Sequence, residues 1–176
     1  MEGAIQFAVS NFPFTLLVFA LAFATIAVAR HPRPRTAAFV VDRMFAYFLF
    51  FTIGACHLVN FVFHVFFGDM AAAYIGWAQS PFQAEVGFAS LGFGVLGLLA
   101  VRGGFEMRLA AVLGQALFLL GAAAGHIVQM VTAQNFAPGN AGLIFYLDIA
   151  LPAIGVALLV LQKRYGAPVR VRPVTA

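Results

Sequence analysis

Apolar residues run along this chain in five long blocks separated by short polar breaks. The blocks cover residues 11–29, 44–67, 81–101, 109–132 and 142–161. Each is long enough to cross a hydrocarbon core about 30 Å thick as an α-helix rising about 1.5 Å per residue. The pattern predicts an all-α integral membrane bundle of five transmembrane helices in a single domain, residues 1–176. The connections are too short for a separate soluble domain.

Composition agrees with that architecture. Hydrophobic residues make up 63% of the chain and charged residues only 9%, against about 25% charged in a soluble domain. A chain this poor in charge needs a lipid bilayer as its partner. The net charge of +4 would by itself suggest nucleic acid, but its distribution points elsewhere. The basic residues are Arg30, Arg33, Arg35 and Arg43, then Arg102 and Arg108, then Lys163, Arg164, Arg170 and Arg172. They fall between the first and second blocks, between the third and fourth, and after the fifth. This is the positive-inside pattern. It places the C-terminus in the cytoplasm and the N-terminus outside, and no nucleic-acid partner is expected. The first block follows Met1-Glu2 without a basic segment, so it reads as a retained span and not as a secretory leader. The single cysteine, Cys56, excludes an intrachain disulfide and is expected to be a packing residue.

Helices in lipid associate through close contact of small residues. The third block carries Gly87, Ser90, Gly94 and Gly97 on one helical face, and the fourth carries Gly114, Gly121 and Gly125. These faces are expected to meet each other or a second copy of the chain. Ser80-Pro81-Phe82-Gln83 reads as a helix start, with Ser80 as N-cap and Gln83 closing a capping box. Tyr74 and Trp77, just before it, read as anchors at the membrane interface.

Ionisable side chains inside hydrocarbon are costly and mark functional sites by default. Here they are His57, His64, Glu85, His126 and Asp148, with Asn60, Gln83 and Gln129 as polar companions. Helical rise puts His64 and Glu85 within about 5 Å of the outer boundary, His126 and Asp148 roughly 9 Å in, and His57 about 15 Å in. All therefore belong to the outer half, whereas Gln115 is the clearest polar side chain of the inner half. His57, Asn60 and His64 share one helical face, as do His126 and Gln129. Pro152 leaves the carbonyl of Asp148 without its helical donor and is expected to kink the fifth helix there.

Neither Glu85 nor Asp148 has a Lys or Arg within a span, so each must be protonated, paired with a histidine or bound to a metal ion. Imidazole with carboxylate is the ligand set of zinc, iron and copper sites. A transition-metal site built from His57, His64, His126, Glu85 and Asp148 is the leading expectation, with Asn60, Gln83 and Gln129 supporting its ligands. A haem between the second and fourth helices is a variant, since Gly54 and Gly125 would admit a flat ring; the outer side lacks arginines to hold its propionates. The alternatives are a proton-coupled carrier or channel for a small solute, and a structural subunit of a larger membrane complex. Signatures of soluble enzymes are absent, and whether the chain is an enzyme stays open.

Several segments resemble a known group. They are Tyr74-Ile75-Gly76-Trp77, Ser80-Pro81-Phe82-Gln83 with Glu85-Val86-Gly87-Phe88-Ala89, Gly125-His126 with Gln129, and Asn135-Phe136-Ala137-Pro138-Gly139-Asn140. Together they resemble a family of small, uncharacterised bacterial multi-span membrane proteins similar to the DoxX-like group, over residues 45–160. The resemblance implies a bacterial inner membrane and carries no activity with it.

The predicted orientation has a direct test. In a Cys56→Ser background, a cysteine at position 3 should react with an impermeant maleimide added outside intact cells, and one at position 166 only after permeabilisation. The reverse labelling would overturn the orientation.

Overall fold

The computed structural model describes residues 2–166. Among them five helices are long and apolar enough to cross a membrane: Phe12–Arg30, Ala37–Phe66, Phe82–Ala100, Phe105–Ala133 and Pro138–Tyr165, the first to fifth spans. Short helices cover Glu2–Ser10 ahead of the first span and Gly68–Ile75 between the second and third. The fifth span opens with the single turn Pro138–Ala141, and Gly142 separates it from the long helix Leu143–Tyr165. The spans alternate in direction. All described Lys and Arg residues therefore lie at one end of the bundle, the basic end, and both short helices lie at the far end. Arg170 and Arg172 lie outside the described residues.

The second span sits at the centre. It packs along the third, touches the first, and in its first half meets the fifth, which in turn runs along the fourth. Phe45, Leu49, Ile53, Val112 and Leu151 are fully buried where the second, fourth and fifth spans converge. Around them Leu99, Leu117, Val131 and Val160 stay exposed, and an apolar perimeter of this kind is suited to lipid.

The spans are longer than the apolar blocks at the basic end. Thr36 accepts a hydrogen bond from the Phe39 N–H at 3.2 Å and starts the second span at Ala37, not at residue 44. Arg43 and Arg108, expected in loops, consequently belong to helices. Arg108 is only 4% exposed. Its guanidinium donates to Asp42 Oδ1 at 2.9 Å and to the Val101 carbonyl at 3.1 Å, and lies over the Phe45 ring. Asp42 also pairs with Arg43. A compensated charge can extend a helix that an apolar pattern would end.

The second span contains a π-helical segment, Leu49–Ala55, that the sequence pattern did not anticipate. The Thr52 hydroxyl donates back to the Phe48 carbonyl at 2.7 Å, and the Thr52 carbonyl accepts from Gln115 Nε2 at 2.8 Å. Widened turns of this kind often accompany functional positions, and His57 follows two residues later.

The small-residue faces pair differently from expectation. Gly87, Ser90, Gly94 and Gly97 turn to the second span, not the fourth, because the short connection over residues 67–81 folds the third span back onto its predecessor. A Cβ at Gly97 would lie 2.6 Å from the Gly54 nitrogen, and one at Gly94 2.9 Å from Leu58. Asn60 Nδ2 donates to Ser90 Oγ at 2.9 Å across the same seam. In the fourth span Gly125 faces Trp77, whereas a Cβ at Gly121 would meet nothing within 4 Å. The capping box does not form either. The third helix begins at Phe82 without a side-chain cap, because Gln83 turns to His64 and Gln79 takes the Ser80 N–H.

Gly97→Val should destabilise the purified protein by about 1–3 kcal/mol, as overpacking against backbone does. Gly121→Ala should change stability by no more than about 0.5 kcal/mol. Thermal unfolding in detergent compares the two; equal shifts would contradict the seam between the second and third spans.

Candidate functional site: a histidine–aspartate pair under an asparagine clasp

At the far end, His126 of the fourth span and Asp148 of the fifth are both buried, 6% and 7% exposed. His126 Nε2 lies 3.5 Å from Asp148 Oδ2. The opposite ring nitrogen, Nδ1, faces Asn140 Oδ1 at 2.8 Å. Asn140 is fully buried in the turn Pro138–Ala141. Its Oδ1 also accepts the Trp77 indole N–H at 2.8 Å, and its Nδ2 donates to the carbonyls of Asn135 at 2.9 Å and His126 at 3.3 Å.

Two flanking loops close over this point. Gly76 ends the helix Gly68–Ile75 at φ 76°, a left-handed conformation that favours glycine. Asn135 Nδ2 donates to the carbonyls of Ile75 and Gly76, and its Oδ1 accepts from the Ala137 N–H. Gly139 permits close approach of the Tyr74 carbonyl, which would lie 2.7 Å from an added Cβ. The Tyr74 hydroxyl donates to the Ser10 carbonyl at 3.2 Å and ties down the N-terminal helix. Partial burial pushes the Tyr74 phenol above its usual range. Gly125 leaves room for the Trp77 ring, which would come within 3.1 Å of a Cβ there and sits 5.5 Å from the His126 ring.

The clasp fixes a protonation pattern. Because Asn140 Nδ2 is committed to two carbonyls, the amide cannot be reversed without facing donors with donors. Its oxygen therefore faces His126, and Nδ1 must carry a hydrogen to donate. One proton between Nε2 and Asp148 would then complete the pair, as imidazolium with carboxylate or imidazole with carboxylic acid. In either form the pair is neutral overall.

The five candidate ligands do not converge on one point. His126 and Asp148 meet as described. His57 is 3% exposed and lies against the rings of Phe93 and Phe118, with both ring nitrogens unpartnered among the described residues. His64 bonds Gln83 across the seam between the second and third spans. Glu85 is exposed. Among the described residues no group of three or more His, Cys, Asp and Glu is gathered as a metal would need. Of the companions, Asn60 and Gln83 serve the seam, and Gln129 lends its backbone carbonyl to the Asn135 N–H. The sequence pattern marks Trp77 as an interface anchor and gives Asn135 and Asn140 no site role. Their signal was the two polar loop segments at the same end of the bundle.

A sequence model of a family of unknown function (DUF6790) matches residues 10–168. The chain belongs to this family. No curated protein and no solved structure matches it. In this DUF6790 chain, the loop segments around Tyr74-Trp77 and Asn135-Asn140 are the two halves of the clasp.

Asn140→Ala should cost at least about 2 kcal/mol, since it strands the Trp77 and His126 donors in a buried setting. Trp77, the only tryptophan, should shift its emission to longer wavelength as the clasp opens. Unchanged stability and emission would contradict the hub role of Asn140.

Proposed function

We propose that this multi-pass membrane protein conducts protons, with the His126–Asp148 pair as its exchangeable site. The observation that supports this is the geometry of the pair: Nε2 lies 3.5 Å from Asp148 Oδ2 while Asn140 Oδ1 engages Nδ1, an arrangement that suits one exchangeable proton between ring and carboxyl. Loss of that proton leaves a carboxylate beside a neutral ring, and gain of another leaves an imidazolium beside a neutral acid. Either change puts net charge into a buried site, and the bundle must respond to it. Polar groups continue along the fourth span toward the basic end, through Gln115 to Arg108. His57, against Phe118 of that span, lies between His126 and Gln115.

A transition metal fits the same pair less well. His126 has both ring nitrogens engaged, so iron, copper or zinc would have to displace the Nε2 proton and find further donors. A haem at His57 would have to displace Phe93 and Phe118. We place the protein in a bacterial inner membrane with the clasp outside, on the distribution of its basic residues and its resemblance to small bacterial membrane proteins. The open face at Gly121 favours a second reading, docking to another copy or to a membrane complex.

In proteoliposomes with a trapped pH dye, an imposed proton gradient should be dissipated by the wild type. His126→Ala and Asp148→Asn should each slow this at least tenfold. Equal rates in all three would reject proton handling, and stoichiometric metal in the purified wild type would restore the metal site.

A further inference from the structure

A second polar site lies at the far end, away from the histidine–aspartate pair. Where the second span, the helix Gly68–Ile75 and the start of the third span meet, a groove of about 570 Å³ opens between His64, Phe66, Asp69, Gln79, Ser80 and Gln83. Its walls are held by short-range bonds. Gln79 Nε2 donates to Asp69 Oδ1 at 2.7 Å, and Gln79 Oε1 accepts the Ser80 N–H at 2.8 Å. These contacts orient the Asp69 carboxyl and leave its second oxygen free of that chain of bonds. Gly68 is part of the fit, since a Cβ there would come within 2.9 Å of Gln79 Nε2.

Charge decides what would enter. Every described Lys and Arg lies at the opposite end of the bundle, and the one histidine on the groove, His64, is bonded to Gln83, so the exposed Asp69 has no Lys or Arg beside it among the described residues. A metal ion would want more than one carboxylate, and no gathered ligand set is found among the described residues. A single ammonium group asks for less: one carboxylate with neutral oxygen acceptors beside it, which Asp69, Gln79 and Ser80 provide. The groove also has an apolar lip. Phe66 is 66% exposed on its wall and Phe82 is 68% exposed next to it, at the last residue of the second span and the first of the third. Such a lip suits an alkyl chain continuing from the ammonium into lipid.

We propose that this groove binds the ammonium group of an amphiphilic amine, with Asp69 as counter-ion and Phe66 and Phe82 against its chain. The ammonium could belong to a free alkylamine or to an aminophospholipid headgroup. The site shares no residue with the His126–Asp148 pair, so its failure would leave proton handling untouched.

The probe is octylammonium, with octanol as the neutral control, titrated into the full chain in detergent. The wild type should bind octylammonium saturably, with at least a tenfold preference over octanol. Asp69→Asn keeps an acceptor for Gln79 and should preserve the fold; it should lower octylammonium affinity tenfold or more and erase the preference. Absence of saturable binding, or an unchanged preference in Asp69→Asn, would overturn the proposal. Native mass spectrometry from bilayer discs containing phosphatidylethanolamine and phosphatidylcholine separates the sources. Asp69-dependent retention of phosphatidylethanolamine assigns the ammonium to a lipid, and octylammonium binding without that retention assigns it to a free amine.

Discussion

A buried asparagine amide governs the far end of this bundle. In hydrocarbon an amide that cannot reach water must spend its donors and acceptors inside the protein. Asn140 does so in four hydrogen bonds to three residues, drawn from two loops and the fourth span. Its orientation follows from those partners, and the tautomer of His126 follows from its orientation. The state of Asp148 is then tied to the state of His126 through the one remaining proton. A structural bond, rather than a catalytic one, thus sets the chemistry of the buried pair.

The two ends of the bundle solve the problem of buried polarity differently. At the basic end Arg108 shares the Asp42 carboxylate with Arg43 and donates to two backbone carbonyls. At the far end there is no Lys or Arg among the described residues, so compensation comes from fixed amides and from imidazole and carboxyl groups that can exchange a proton. Between them His57 sits just past the π-helical turn with no partner for either nitrogen among the described residues. A neutral imidazole tolerates that environment better than a charged one. Its position beside the polar line of the fourth span is the feature that interhelical bonding alone does not explain.

The five spans were legible in the sequence because hydrocarbon thickness imposes a length that few other structures share. Their ends were less legible. Asp42, Arg43 and Arg108 interrupt the apolar pattern, and only the contact between the second span and the fourth reveals that the two arginines share the Asp42 carboxylate. Depth could be read from helical rise, and it placed His126 and Asp148 at a common height. The direction in which a residue faces its neighbours depends on which helices are adjacent, and no residue pattern here specified that. Hence Gly94 and Gly97 face the second span and not the fourth, Glu85 faces outward, and His57 and His64 lie in separate environments. Asn140 escaped notice because a Pro-Gly-Asn-Ala turn looks like an ordinary loop until its burial is known.

The most direct test of the account is the nitrogen-15 NMR spectrum of His126 in the membrane-embedded protein. The clasp predicts that Nδ1 appears as a protonated nitrogen at every pH where the protein stays folded, and that Asp148→Asn alters Nε2 alone. An Nδ1 resonance typical of an unprotonated ring nitrogen would contradict it, because Asn140 could not then be holding His126 as described.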